Sequence, residues 1–186
     1  MIQLRLLSLC ALVLLSGTTV LAKSKAEKQA EARQKADQTL QRLYKATPSA
    51  QSAIKGAAGY AVFNNKSAKI FVGGGGSGSG IVVDNSTKHV TYMKMREIQA
   101  GLGMGVKKFS LIFVFQNKKA LEDFANGNWD GGGQSTVAAK SSDGGGSLQG
   151  AVAGGPGVWV YQMTDKGLAL ELTVKGTKYS KDDELN

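Results

Sequence analysis

The chain has 186 residues, with 23 Lys and Arg against 14 Asp and Glu, a formal charge of +9, one histidine and one cysteine. That length allows a domain with a real core, and the residue usage excludes a disulfide framework or a nitrogen–sulfur metal cage. The basic balance favours anionic partners.

At the N-terminus, Arg5 supplies a positive n-region, Leu6 to Leu15 is apolar, and Val20-Leu21-Ala22 fits a small-residue cleavage site. The spacing predicts a secretory signal peptide over residues 1–22, because the apolar core is far short of the roughly 20 residues a spanning helix needs. An uncleaved anchor is the competing reading. Leu9 stands before Cys10 where lipoprotein processing wants a small residue, so lipidation there is not expected. Cleavage after Ala22 removes the only cysteine and Arg5, leaving +8 over 164 residues. The expected compartment is the periplasm of a Gram-negative bacterium, where phospholipid headgroups or acidic glycans replace nucleic acid as anionic partners.

Residues 23–46 form the next unit. Lys23 to Ala46 lacks Gly and Pro and predicts a long charged helix, with Glu31 and Lys35 spaced for an ion pair. Ala36, Leu40, Leu43 and Tyr44 make an apolar stripe, so the second half should dock while the first projects or frays. Pro48 ends this helix, and Ser49 to Lys55 predicts a short second one capped by Ser49.

Residues 47–186 read as an α+β domain to which helix 23–46 also belongs. From Gly59 the period changes to that of strands: Tyr60–Phe63, Lys69–Val72, Ile81–Val83, Lys88–Arg96, Ala100–Val106 and Phe109–Phe115. Leu111 to Phe115 is the uninterrupted apolar run and the expected central strand. Lys118 to Ala125 predicts a brief helix ended by Asn126-Gly127. Strand returns around Trp129–Lys140, Ser147–Ala153, Val158–Met163 and Leu168–Val174, with Trp159 and Tyr161 on one face.

Glycine recurs at alternate positions: Gly73/Gly75, Gly78/Gly80, Gly101/Gly103/Gly105, Gly131/Gly133 and Gly144/Gly146. Period two leaves a strand face without side chains, which lets a sheet bend sharply and admits another element or a ligand. The expected fold is therefore α+β. N-terminal helices pack on a strongly curved, mostly antiparallel glycine-rich sheet or partial barrel, and the glycine face is expected to offer a groove. Flexible linkers are the rival reading for Gly131 to Gly133 and Gly144 to Gly146.

Catalytic constellations are missing. Gly73 to Gly78 matches G-x-G-x-x-G in form, but Ile81 to Asn85 follows as strand and turn where a phosphate-holding helix is needed. Ser77 and Ser79 lack a nucleophile elbow, and His89 reads as an exposed edge residue. Asp182, Asp183 and Glu184 read as a solvated tail rather than a calcium site. No enzyme activity, metal or cofactor is expected.

The basic residues carry the functional signal. Lys23, Lys25, Lys28, Arg33, Lys35, Arg42 and Lys45 outnumber Glu27, Glu31 and Asp37 on the first helix, and Lys107-Lys108 beside the central strand offer a second patch. An anionic membrane attracts each such cation by about 1 kcal/mol. The alternative for the helix is a solvated surface that only pads the domain.

A series of segments runs in one order: A-A-G-Y-A-V-F (Ala57–Phe63), G-I-V-V-D-N (Gly80–Asn85), Q-A-G-L-G-M-G (Gln99–Gly105) and L-I-F-V-F (Leu111–Phe115). K-A-L-E-D-F (Lys119–Phe124), A-G-G-P-G-V (Ala153–Val158) and G-L-A-L-E-L-T-V-K-G-T-K-Y (Gly167–Tyr179) complete it. The set resembles the SYLF domains over about Ala36 to Tyr179. That resemblance implies a compact α+β domain binding membrane phospholipids, with an amphipathic N-terminal helix involved in eukaryotic relatives and actin binding in yeast ones. An exported chain would not meet actin. The expectation is an exported, non-enzymatic phospholipid-binding protein docking on anionic membrane surfaces; the alternative is a structural or protein-interaction module of the cell envelope with an envelope protein partner.

Overall fold

The computed structural model describes residues 22–70, 73–100, 105–129, 146–169 and 176–186. The signal-peptide segment, most of the expected strand Trp129–Lys140 and much of Leu168–Val174 lie outside these residues, as do the glycines of 101–103 and 131–145.

Helix α1 (Lys25–Ala46) starts at a capping box: the Ser24 hydroxyl accepts from the Glu27 N–H, and the Glu27 carboxylate accepts from the Ser24 N–H at 2.7 Å. Its buried residues are Ala36, Thr39, Leu40 and Leu43, while Tyr44, the fourth residue of the expected stripe, is half-buried. Helix α2 (Ser49–Gly56) follows. Its cap is Pro48, without a side-chain hydrogen bond, and the Ser49 hydroxyl is buried with no partner, which corrects the capping role expected of Ser49.

Seven strands form one antiparallel path in the order β5-β6-β4-β1-β2-β3-β8, and β7 pairs with β6. They are β1 (Gly59–Ile70), β2 (Gly73–Asp84), β3 (Val90–Ala100), β4 (Gly105–Phe115), β5 (Val152–Gly155), β6 (Val158–Thr164), β7 (Gly167–Ala169) and β8 (Thr177–Lys181). This sheet curls into a half-barrel, so the fold is α+β with helices on a curved antiparallel sheet. The central pair is β1–β4: Gly59 lies opposite Phe115, and pairing runs to Lys69 opposite Gly105. Tyr60–Phe63 and the described part of the separately expected strand Lys69–Val72, residues 69–70, lie on one strand, β1, because Asn64 and Asn65 continue the ladder instead of turning. Helix α3 (Lys118–Ala125) is capped by Asn117, whose side chain accepts from the Ala120 N–H.

Alternation along the strands divides the core. One face puts Val62, Ile81, Tyr92, Ile112 and Tyr161 under α1 and α2. The other gathers Phe63, Phe113, Phe115, Phe124 and Tyr179 with partly buried Trp129, rings 4.8 to 6.4 Å apart. Trp159 packs against the first cluster beside Tyr161, so the aromatics of β6 serve the core.

The glycine run of β2 lies inside the ladder, and here the expectation of a glycine-lined groove is corrected. On the face of Gly76, Gly78 and Gly80, a Cβ at Gly80 would sit 2.4 Å from the Val62 carbonyl oxygen and 2.5 Å from the Phe63 ring. At Gly76 it would meet the Ser67 Cβ at 2.7 Å and the Glu97 carboxylate at 2.8 Å. That face is filled. Glycine is required here because the sheet closes down on its own neighbours.

Candidate anion-binding face

Register places four cations in one transverse row. Lys178 of β8 is opposite Arg96 of β3, Arg96 opposite Ser77 of β2, Ser77 opposite Lys66 of β1, and Lys66 opposite Lys108 of β4. Directly opposed residues share a face, so all five side chains point to the α1 side. The four cations are exposed, and none of them belongs to an ion pair among the described residues. Two pairs, Lys178/Arg96 and Lys66/Lys108, set like charges against each other, which is unfavourable without a counter-anion.

One level inward the same face carries Lys94, Ser79, Asn64 and Ser110. A further level gives Tyr92, Ile81, Val62 and Ile112, the core under α1. The face therefore grades from apolar to polar to cationic over three levels, two steps of about 7 Å each, a step being two residues of strand at about 3.4 Å.

Where α1 leaves the sheet, Lys35, Thr39 and Arg42 close one side of a cleft of about 690 Å³ over Asn64, Lys66, Ser77, Ser79 and Lys108. Met163, opposite Ser110 on the same face, supplies apolar wall. Asn64 Oδ1 accepts from the Ser110 hydroxyl at 2.8 Å and lies 3.0 Å from Thr39 Oγ1. Lys94 meets Asp182 at 3.0 Å, and that hydrogen bond holds the ammonium above its usual range. Lys35 is 2.7 Å from Glu31, whose other oxygen meets Lys23 at 2.6 Å. Hydrogen bonds from Lys23 and then Lys35 hold the Glu31 carboxyl at about 2. Arg42 donates to the Thr164 carbonyl at 2.7 Å, a neutral acceptor that leaves the guanidinium charge uncompensated.

Of the residues expected to bind lipid, the structure brings Lys35, Arg42 and Lys108 to this cleft. Lys107 precedes Lys108 on β4 and so points to the opposite face. The first half of α1 does not project. Lys25 Nζ donates to the Asn186 carbonyl at 2.6 Å, Gln29 to the Leu185 carbonyl at 2.6 Å, and Lys28 lies 3.8 Å from Glu184. Arg33 Nε donates to the Tyr92 hydroxyl at 2.7 Å, with its guanidinium 5.5 Å from that ring's centroid. Lys45 is exposed in the last turn of α1. Lys66, Lys94, Arg96 and Lys178 were not singled out by sequence. Their signal was a period-two pattern of Lys, Arg, Ser and Asn on four strands, legible only with the register.

His89 is exposed in the β2–β3 turn, about 17 Å along the strand from Ser79, so the two cannot form a catalytic pair. Among the described residues no three His, Cys, Asp or Glu gather to hold a metal, and no helix is long and apolar enough to cross a membrane.

Residues 96–186 match the family model described as Ysc84, Las17-binding protein actin regulator. Beta cell expansion factor A of Aeromonas veronii is 32% identical over 151 residues, covering 81% of this chain and 56% of that relative. The chain thus spans a little over half the length of the curated relative it matches. The matched 96–186 segment holds Arg96, Lys108 and Lys178 of the cation row, while Lys66 and Ser77 lie before it.

Proposed function

The chain belongs to the SYLF (Ysc84) family, and on that premise we propose that it is a non-enzymatic, exported module that docks peripherally on anionic phospholipid surfaces. The compartment that fits this reading is the Gram-negative periplasm. The observation that carries it is the row Lys178, Arg96, Lys66 and Lys108, four exposed cations at one level of one sheet face without carboxylate partners. Headgroup phosphates relieve the two like-charge pairs, and each cation near an anionic surface contributes about 1 kcal/mol, screened by salt. Lys23, Lys25, Lys28, Arg33, Lys35, Arg42, Lys45 and Lys107 add to the positive field around this face rather than forming a separate inserting helix. Actin regulation, the role named for the matching family, does not fit an exported module.

Sedimentation of the protein with vesicles of neutral phosphatidylcholine, or of the same lipid with phosphatidylglycerol, tests this at low and high salt. Pelleting only with the anionic vesicles, lost at high salt, supports docking. Absence of pelleting with either leaves an envelope protein partner as the better account.

A further inference from the structure

We infer that the cleft between α1 and the sheet takes a single phosphate monoester, held between Lys66 and Lys108. The setting, though not the chemistry, rests on the docking reading above: the monoester is either a lipid headgroup or a soluble metabolite.

Charge balance selects this ligand. Among the cations lining the cleft, Lys94 is matched by Asp182, and Lys35 shares the single Glu31 carboxylate with Lys23 outside the cleft. Among the described residues, Arg42, Lys66 and Lys108 meet no carboxylate within 4.0 Å, and against them stands Asp165, a lining carboxylate without a salt bridge among those residues. At least two positive charges remain. A phosphate monoester carries about −1.5 to −2 at neutral pH and cancels them, whereas a phosphodiester with one negative charge leaves half uncompensated. Cross-strand register fixes the two ammonium stems on directly opposed residues, with Cβ atoms about 5 Å apart, so one tetrahedral anion reaches both.

Neutral donors complete the arrangement. Ser77 is the cross-strand neighbour of Lys66, and Ser79 pairs with Asn64 one level inward. Asn64 also lines the cleft, and with its Oδ1 engaged by Ser110 its amide nitrogen is the group it has left to donate. A phosphate fills a small part of 690 Å³, and the remainder, bordered by Met163, admits the organic body that bears it.

The test compares phosphatidylcholine vesicles carrying phosphatidic acid, a monoester, with vesicles carrying phosphatidylglycerol, a diester, at matched surface charge. Calorimetric titration with glycerol 3-phosphate adds a soluble arm. Wild-type protein should prefer phosphatidic acid by about tenfold. Lys66→Gln and Lys108→Gln should each bring that preference to near unity, while phosphatidylglycerol binding weakens only by the roughly fivefold that one surface cation contributes, and Lys55→Gln should preserve the preference. Equal affinity for both lipids overturns the cleft and leaves docking intact. Binding of glycerol 3-phosphate alone, abolished in Lys66→Gln, supports the cleft with a soluble ligand and removes docking. Absence of binding in every arm overturns both. Native circular dichroism of each variant separates loss of the site from loss of the fold.

Discussion

Gly80→Ala tests whether the glycine run exists to let the sheet close on itself. The new Cβ would lie 2.4 Å from the Val62 carbonyl oxygen and 2.5 and 2.7 Å from two Phe63 ring atoms, where ordinary contact begins near 3.4 Å. Val62 O belongs to the paired strand and Phe63 is fully buried among aromatic rings, so neither can yield about 1 Å without breaking ladder or core. Overpacking costs 1–3 kcal/mol, and a fixed backbone partner places this substitution near ~3 kcal/mol. For a chain of this size that lowers Tm by roughly 6–12 °C. Gly75→Ala, in the same run, meets only the Glu97 carbonyl at 3.4 Å and should be neutral or stabilise by about 0.5 kcal/mol through the unfolded chain. Urea unfolding followed by the fluorescence of Trp129 and Trp159 reports both. Gly80→Ala within about 1 kcal/mol of wild type, or equal losses for the two variants, would refute the reasoning.

Leu43→Ala removes a fully buried side chain between α1 and the sheet and should cost 2–5 kcal/mol in the same unfolding measurement. Lys88 holds φ at +60° in the β2–β3 turn, and Lys88→Asn should raise stability by about 0.5 kcal/mol, read as a higher urea midpoint. Asp84 accepts from the Ser86 hydroxyl and then the Thr87 N–H, which hold its carboxyl at about 2, below its ordinary 3.8. Its folded-state pKa is depressed, so its contribution is present above about 3.8 and is lost as pH falls through about 2. Asp84→Asn should flatten the acid limb of Tm against pH in that window, and an unchanged limb would rule the contribution out.

The parts of the fold that sequence disclosed are those set by local pattern. The stripe Ala36, Leu40, Leu43 sits at helical spacing and is buried as expected, and Leu111 to Phe115 is a fully buried strand. The breaks came where tertiary context overrides local chemistry. Asn64-Asn65 reads as a turn, yet Asn65 donates to Glu97 at 2.7 Å and Asn64 accepts from Ser110, partners 32 and 46 residues away. Strand β8 carries Thr177 to Lys181, a polar edge whose pairing with β3 no local apolar signal announces. The site shows the same division. Arg42 and Lys108 were visible as cations, but Lys66 opposite Lys108 is a fact of register, set by contacts across 42 residues of chain.

The ties between α1 and the C-terminal tail also bear on when this protein can fold. Lys25 reaches Asn186 across 161 residues, Gln29 reaches Leu185 across 156, and the Asn186 side chain exchanges hydrogen bonds with the Tyr92 backbone across 94. Closing a loop of about 160 residues rather than 20 spans three doublings and costs about 2 kcal/mol more in chain entropy. A chain made from its N-terminus onward holds that helix long before residues 185 and 186 are available to latch it. Its basic helix therefore stays unlatched until that distant segment has been made.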